Sequence, residues 1–430
     1  MTLRFSTYIA SHFYPQLKGG ILLHGYSGAV DWVKPEIAQL ASPGAVVDPK
    51  SLHYDTLTML KVRGHLTQHD PAEEGRHVRE LLRVLRARQA APFELILSKH
   101  VPPRAITEQR EEDERPPVDR IIDGLQTVFR ALVPQTKTRR LVRVTLSLSE
   151  SVLFPEDLET LLKVISHLVG DPKLLFEFYI RLRDTHVGWL SSVRDRLPSV
   201  RELEVLADRQ SVANRDYSTL LMKNLSSFCY HPIGHATPHP VVPVLWVYHL
   251  AEVSETDLIR AQEIAGELRS FGINPIFVGT SEPLARQVEP HLPLLDSSEY
   301  ALLPPVSRFL RRPIVFSFYP YFSRVPAFLS VGLNGRYILS RLPYSPDGLE
   351  WRSLTEVVEV WQQVSQAQPV EGWPIPSEGL FCLQCAYCLI CSGNPFVPQK
   401  EIGSTTCFEV FHRKIKTILS VIGGRRYESE

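Results

Sequence analysis

Five of the six cysteines of this 430-residue chain, Cys382, Cys385, Cys388, Cys391 and Cys407, crowd into one stretch near the C-terminus, while Cys229 stands alone. A disulfide scaffold spreads its cysteines so that each bond closes a loop, and a reducing compartment gives a chain little reason to keep such bonds. Thiols two residues apart instead let one loop curl around a metal, and a distant thiol arriving at a helix start closes the site. Phe381, Leu383, Ala386, Tyr387, Leu389 and Ile390 surround these thiols with apolar groups that would limit solvent access. On the residues alone three readings stay open: an iron-sulfur cluster, a structural zinc, and redox or unliganded thiols.

The rest of the chain is read for what could carry such a site. Lys and Arg number 47 and so do Asp and Glu, which gives a formal net charge of zero. No long-range field then holds a polyanion, and neither nucleic acid nor a membrane surface is expected as a partner. No stretch approaches the ~18 apolar residues of a membrane span, and the first residues lack a basic segment followed by an apolar run. A soluble, cytoplasmic protein of two or three domains is expected.

Strand-like segments at 4–9 and 20–24, the turn Gly25-Tyr26-Ser27-Gly28, and helices at 32–40 and 77–87 suggest a small N-terminal α+β domain over 1–90. From 91 to 328 short apolar strands (93–97, 141–148, 176–182, 202–206, 244–250, 275–278 and 314–319) alternate with helical patterns (117–132, 155–169, 186–197, 217–225, 255–271 and 282–288). Repeated strand-helix units imply α/β architecture with a parallel sheet, and about six of them suit a barrel, open or closed, better than a small doubly wound sheet. Ser254 with Asp257 reads as a helix N-cap, Gly272 as a stop, and Asn334-Gly335 as a hairpin turn. The remaining segment, 329–430, holds the cysteines and a last helix near 408–421.

The segment FCLQCAYCLICSGNPFVPQKEIGSTTCFEVFHRKIKTIL, residues 381–419, resembles the C-terminal SPASM domain of radical SAM peptide and protein maturases, such as the anaerobic sulfatase-maturating enzymes. That family's pattern is C-x2-C-x5-C-x3-C with a later Cys before a terminal helix. Cys382, Cys385 and Cys391 fall on its first three positions and Cys407 on the last, so the resemblance implies that these four hold one auxiliary 4Fe-4S cluster, with Cys388 the extra thiol and a possible alternate ligand. Pro395 stands at the family's fourth cysteine position, and Ser340 stands where its G-x4-C element would have a cysteine after Gly335; the second auxiliary cluster of the family is therefore expected to be lost. The start, RFSTYIASHFYPQLKGGILLHGYSGAVDWV, is similar to the small N-terminal domain of these maturases. The resemblance thus implies a partial (β/α)6 TIM-like barrel between a small N-terminal α+β domain and a SPASM-like iron-sulfur domain.

A radical SAM enzyme also needs C-x3-C-x2-C directly after its first barrel strand. Here FELILSK runs into His100-Val101-Pro102-Pro103-Arg104, and no cysteine occurs between Met1 and Phe228. The loop after the second strand, GGEP-like in the family, reads Ser149-Glu150-Ser151-Val152. S-adenosylmethionine is accordingly not expected as a cofactor, and no catalytic residue is assigned. Cys229, His231, His235 and His239 suggest a second metal site at first sight, but Pro232, Pro238 and Pro240 prevent a regular helix that would align them.

The expectation is a non-catalytic radical SAM-like protein that keeps one 4Fe-4S cluster and serves as a partner in maturing a ribosomally synthesised peptide. Its own partners would be a precursor peptide, an active radical SAM maturase, or both. Two alternatives stand beside it: an iron-sulfur electron-transfer subunit, and a structural interaction protein stapled by zinc.

Overall fold

The computed structural model describes residues 2–15, 18–88, 93–99, 117–132, 140–149, 153–169, 174–190, 196, 200–229, 242–251, 253–279, 287–288, 292, 294–296, 328–340, 349–351, 353–365, 385–387 and 404–427. The chain divides into two compact units, one of Met1–Ala91, Leu303–Arg324 and Pro374–Glu430, the other of Pro92–Leu302 and Val325–Trp373. The stretch 329–430, expected as one domain, is therefore shared between the two.

The first unit begins with β1 (Arg4–Phe5), β2 (Ile9–Tyr14), β3 (Gly19–His24), β4 (Val30–Val33), α1 (Pro35–Leu40), α2 (Tyr54–Val62), β5 (Leu66–Thr67) and α3 (Pro71–Arg88). β1 pairs with β5, and β2-β3-β4 form an antiparallel sheet in that order. The predicted strand over 4–9 is cut in two because the buried Glu74 carboxylate of α3 accepts hydrogen bonds from Ser6 Oγ (2.7 Å), Thr7 N–H (2.8 Å) and Thr7 Oγ1 (2.7 Å), which bends the chain there. The helix predicted from residue 32 starts later. Residues 30–33 pair with β3, and Pro35, whose fixed φ suits a first helical turn, sets the helix start. Phe5, Ile9, Leu22, Val33, Ile37, Leu60 and Leu66 form this unit's core.

The second unit holds β6 (Phe93–Ser98), α4 (Val118–Leu132), β7 (Arg140–Leu148), α5 (Pro155–Leu168), β8 (Leu174–Arg183), β9 (Val200–Ala207), α6 (Arg209–Val212), α7 (Tyr217–Cys229), β10 (Val244–His249), α8 (Glu255–Ser270), β11 (Asn274–Val278), β12 (Leu294–Leu295), β13 (Phe328–Gly332), β14 (Tyr337–Ser340), β15 (Leu349–Trp351) and α9 (Leu354–Ser365). Its strands make one ten-stranded sheet in the order β12-β11-β10-β9-β8-β7-β6-β13-β14-β15. All pairs from β12 to β13 are parallel, and β14 and β15 continue antiparallel. From β6 to β12 the sheet order follows the chain order without reversal, so right-handed crossovers deliver their helices to one face, as in a barrel rather than a doubly wound sheet.

That face is apolar: Leu95, Val144, Ile180, Val205, Trp246 and Phe277 of the strands are buried in one cluster with Leu125, Leu161, Leu225 and Leu258 of the helices. Ser254 caps α8 in a reciprocal box with Asp257, and Gly272 takes φ +75° after it. Gly335, also at +75°, turns the β13–β14 hairpin. α4 and α9 meet so closely that a Cβ on Gly124 would overlap Leu354. Among the described residues no helix is long and apolar enough to cross a membrane.

The last described element, α10 (Thr405–Tyr427), belongs to the first unit. It begins three residues before the predicted 408 because Ser404 Oγ accepts the Cys407 N–H at 3.1 Å, an N-terminal cap. Tyr14 Oη of β2 donates to the Lys416 carbonyl at 2.7 Å and ties the helix to the small sheet.

Candidate functional site

Of the expected cluster ligands, Cys385 and Cys407 are described, and Cys382, Cys391 and the alternate Cys388 lie outside the described residues. So do His100 and the histidines 231, 235 and 239. Cys385 and Cys407 belong to the same unit, formed by the N- and C-terminal parts of the chain. Cys407 is buried in the first turn of α10, and Cys385 is half-buried. The Tyr387 N–H points at Cys385 Sγ, 3.5 Å away. Hydrogen bonds of this kind to thiolate sulfur tune iron-sulfur clusters.

An aromatic cluster surrounds Tyr387, two residues after Cys385. Tyr387 is fully buried, with ring centroids 5.7 Å from Phe408 and 5.1 Å from Phe411. Its hydroxyl reaches His12 Nε2 of β2 at 3.1 Å and His412 Nδ1 of α10 at 2.6 Å. Burial first, then the neighbouring His412 and Lys416 charges, push the His12 pKa well down; burial and Lys416 lower that of His412. Thiol donors and an N–H···S bond suit a thiolate-held metal. Among the described residues, no group of three or more His, Cys, Asp or Glu side chains is placed to hold a metal ion.

A second buried polar network lies in the same unit. His24 Nδ1 meets Ser27 Oγ at 2.6 Å, and His24 Nε2 meets Ser6 Oγ at 3.1 Å. Because the Ser6 hydroxyl proton goes to Glu74, His24 carries its own proton on Nε2 and accepts the Ser27 proton at Nδ1. Asp31 accepts from His65 Nε2 at 2.7 Å and Arg63 Nε at 2.8 Å.

In the second unit the sheet face opposite the helices is charged. Glu94 of β6, Arg143 of β7 and Glu177 of β8 are in register. Arg143 reaches Glu94 Oε1 through Nη1 at 3.1 Å and Glu177 Oε2 through Nε at 3.6 Å. Arg181 and Glu204 are also opposite each other, with two contacts of 2.5 and 3.3 Å. Parallel strands usually read as continuous apolar runs because both faces are covered. Here FELILS, RLVRVTLSL, FEFYIRLR and RELEVLA carry Glu94, Arg143, Glu177, Arg181, Glu202 and Glu204 on the face opposite the helices. That signal was present in the sequence, but strands sought by apolar content alone pass over it.

Ligands of parallel sheets sit at the carboxyl ends of the strands. At those ends Arg183 Nε donates to the Ser149 carbonyl at 2.8 Å, and His186 Nδ1 to the Leu148 carbonyl at 3.2 Å. Lys99 pairs with the buried Asp157 at 3.3 Å. Asp184 Oδ2 accepts from Asp208 N–H at 2.9 Å and Tyr217 Oη at 3.0 Å. Burial nevertheless raises its pKa above the ordinary carboxylate value.

No family model and no curated protein matches the chain. Three solved structures of SuiB from Streptococcus suis are similar to it, each 12% identical and covering 91% of this chain and 95% of SuiB. The structure bound to the precursor peptide SuiA has a TM-score of 0.39, that bound to S-adenosylmethionine 0.37, and the third 0.35. A likeness of that degree fixes neither a fold nor an activity.

Proposed function

We propose that this chain is a peptide-binding protein built like the radical SAM maturases, which keeps one 4Fe-4S cluster on Cys382, Cys385, Cys391 and Cys407 and does not itself cleave S-adenosylmethionine. Its role is to bind a ribosomally made precursor, or to dock an active maturase, during peptide maturation. The observation that carries the reading is the placement of Cys385 and the buried Cys407 in one unit, with the N–H of the buried Tyr387 aimed at the Cys385 sulfur. No cysteine lies between β6 and α4, the place where the resembled family puts its radical-forming cluster. When bound, the cluster supplies electron storage to the site. β2 and β4 are the edges of the small sheet among the described residues, and an extended leader would add to one of them by main-chain hydrogen bonds.

Ligand substitution tests the assignment. Alanine at Cys382, Cys385, Cys391 or Cys407 should each abolish the cluster absorbance after anaerobic reconstitution, whereas Cys388→Ala should keep it. Loss of the cluster in Cys388→Ala would mean that the ligand set is wrong. Production of 5'-deoxyadenosine above a no-protein control would overturn the non-catalytic reading.

A further inference from the structure

Tyr387 joins three parts of the chain that are remote in sequence. Its hydroxyl lies between His12 and His412, whose rings stack at 4.3 Å. A phenol has one proton, so it donates to one imidazole and accepts from the other. The 2.6 Å contact to His412 Nδ1 is the shorter of the two, and His12 Nδ1 is buried without a hydrogen-bond partner. An orphaned lone pair is less costly than an orphaned N–H. Tyr387 therefore donates to His412 Nδ1, and His12 donates from Nε2–H to the Tyr387 oxygen.

The same residue is tied to both described thiols. Its own N–H reaches Cys385 Sγ, and its ring and hydroxyl grip Phe408, Phe411 and His412 on the helix whose first turn carries Cys407. The preceding Ala386 carbonyl rests so closely on Gly25, just after β3, that a Cβ at Gly25 would overlap it. Anything that fixes the cysteine loop thus bears on β2 and β3 as well.

We propose that Tyr387 is the positioning residue of the metal centre, holding Cys385 and Cys407 in a set arrangement through His12 and His412, so that metal loading and the integrity of the β2-β3-β4 sheet are one coupled equilibrium. This rests on the metal reading given above. A ligand that binds only the ordered arrangement stabilises everything that arrangement requires, and the coupling is reciprocal.

The test uses the full chain, anaerobically, metal-free and after loading with iron and sulfide. It reads iron per chain, the visible spectrum, and amide hydrogen exchange of residues 9–24. In the parent, loading should slow exchange in β2 and β3 about tenfold or more. Tyr387→Phe, which keeps the ring and the N–H···S bond, should lose most of that protection and show less iron or an altered spectrum. His412→Asn keeps an acceptor near the Nδ1 position and should behave like the parent, whereas His412→Leu should behave like Tyr387→Phe. A loaded Tyr387→Phe with the parent's spectrum and the parent's protection gain would overturn the inference and leave the metal reading standing, as would equal behaviour of the two His412 variants. A parent chain that takes up no metal would overturn both.

Discussion

Arg143→Ala is expected to destabilise the chain by about 3–5 kcal/mol, the usual consequence of stripping one partner from a buried ionic group. Arg143 is 5% exposed and stands between Glu94 and Glu177 on the charged face of the large sheet. Without it two carboxylates face each other across one strand in poorly hydrated surroundings. The triple variant Glu94→Gln, Arg143→Met, Glu177→Gln removes the charges together and should recover much of the loss, because a buried ionic cluster as a whole adds little to stability. Urea unfolding with linear extrapolation reads both. A loss under about 1 kcal/mol in Arg143→Ala would show that water reaches this face freely.

Acid should undo the first unit well before it undoes an ordinary carboxylate-stabilised fold. Burial, then the neighbouring His65, pushes the His24 pKa from 6.5 down to about 3. As the folded value lies below the unfolded one, the unfolded chain takes up this proton first. The stabilisation is complete above about pH 6.5 and is lost as the pH falls toward 3. The loss amounts to at most about 5 kcal/mol at the bottom of that window. Protonation at Nδ1 would also remove the acceptor that Ser27 uses.

Asp31 acts in the same direction. Burial pushes its carboxyl up, but the His65 and Arg63 hydrogen bonds and charges outweigh that and leave it lowered. Its contribution is lost as the pH falls through and below its ordinary value of 3.8. His24→Gln, which can donate and accept but not titrate, should flatten the pH dependence of stability between 6.5 and 4. An unchanged slope in urea titrations at pH 7, 5 and 4 would contradict the assignment.

The strands expected at 93–97, 141–148, 176–182, 202–206, 244–250 and 275–278 were legible from their apolar residues, and Ser254, Gly272 and Gly335 mark ends and turns by their own chemistry. The strand expected at 314–319, most of the helix expected at 282–288 and half of that expected at 186–197 lie outside the described residues. The parallel order followed from strand-helix alternation. Long-range partnerships were not legible. Nothing local in Thr7-Tyr8 announces that Glu74 will break the strand there, and nothing in the cysteine segment says that Tyr387 will meet a histidine 375 residues away. Such contacts depend on tertiary placement, which overrides propensity. The division of 329–430 between two units has the same origin: the β13–β14 hairpin finds its partner in β6, far upstream. The cysteine spacing was plain from the start, yet the roles of individual thiols come from resemblance, since spacing alone leaves iron-sulfur, zinc and redox chemistry open.

The central claim is a single four-iron cluster held by the C-terminal cysteines. Iron and acid-labile sulfide counted on the full chain after anaerobic reconstitution, with the visible spectrum recorded on the same sample, test it most directly. About four irons and four sulfides per chain, with broad absorption that bleaches on reduction, are predicted. A colourless protein, or one that holds zinc and takes up no iron, would contradict it.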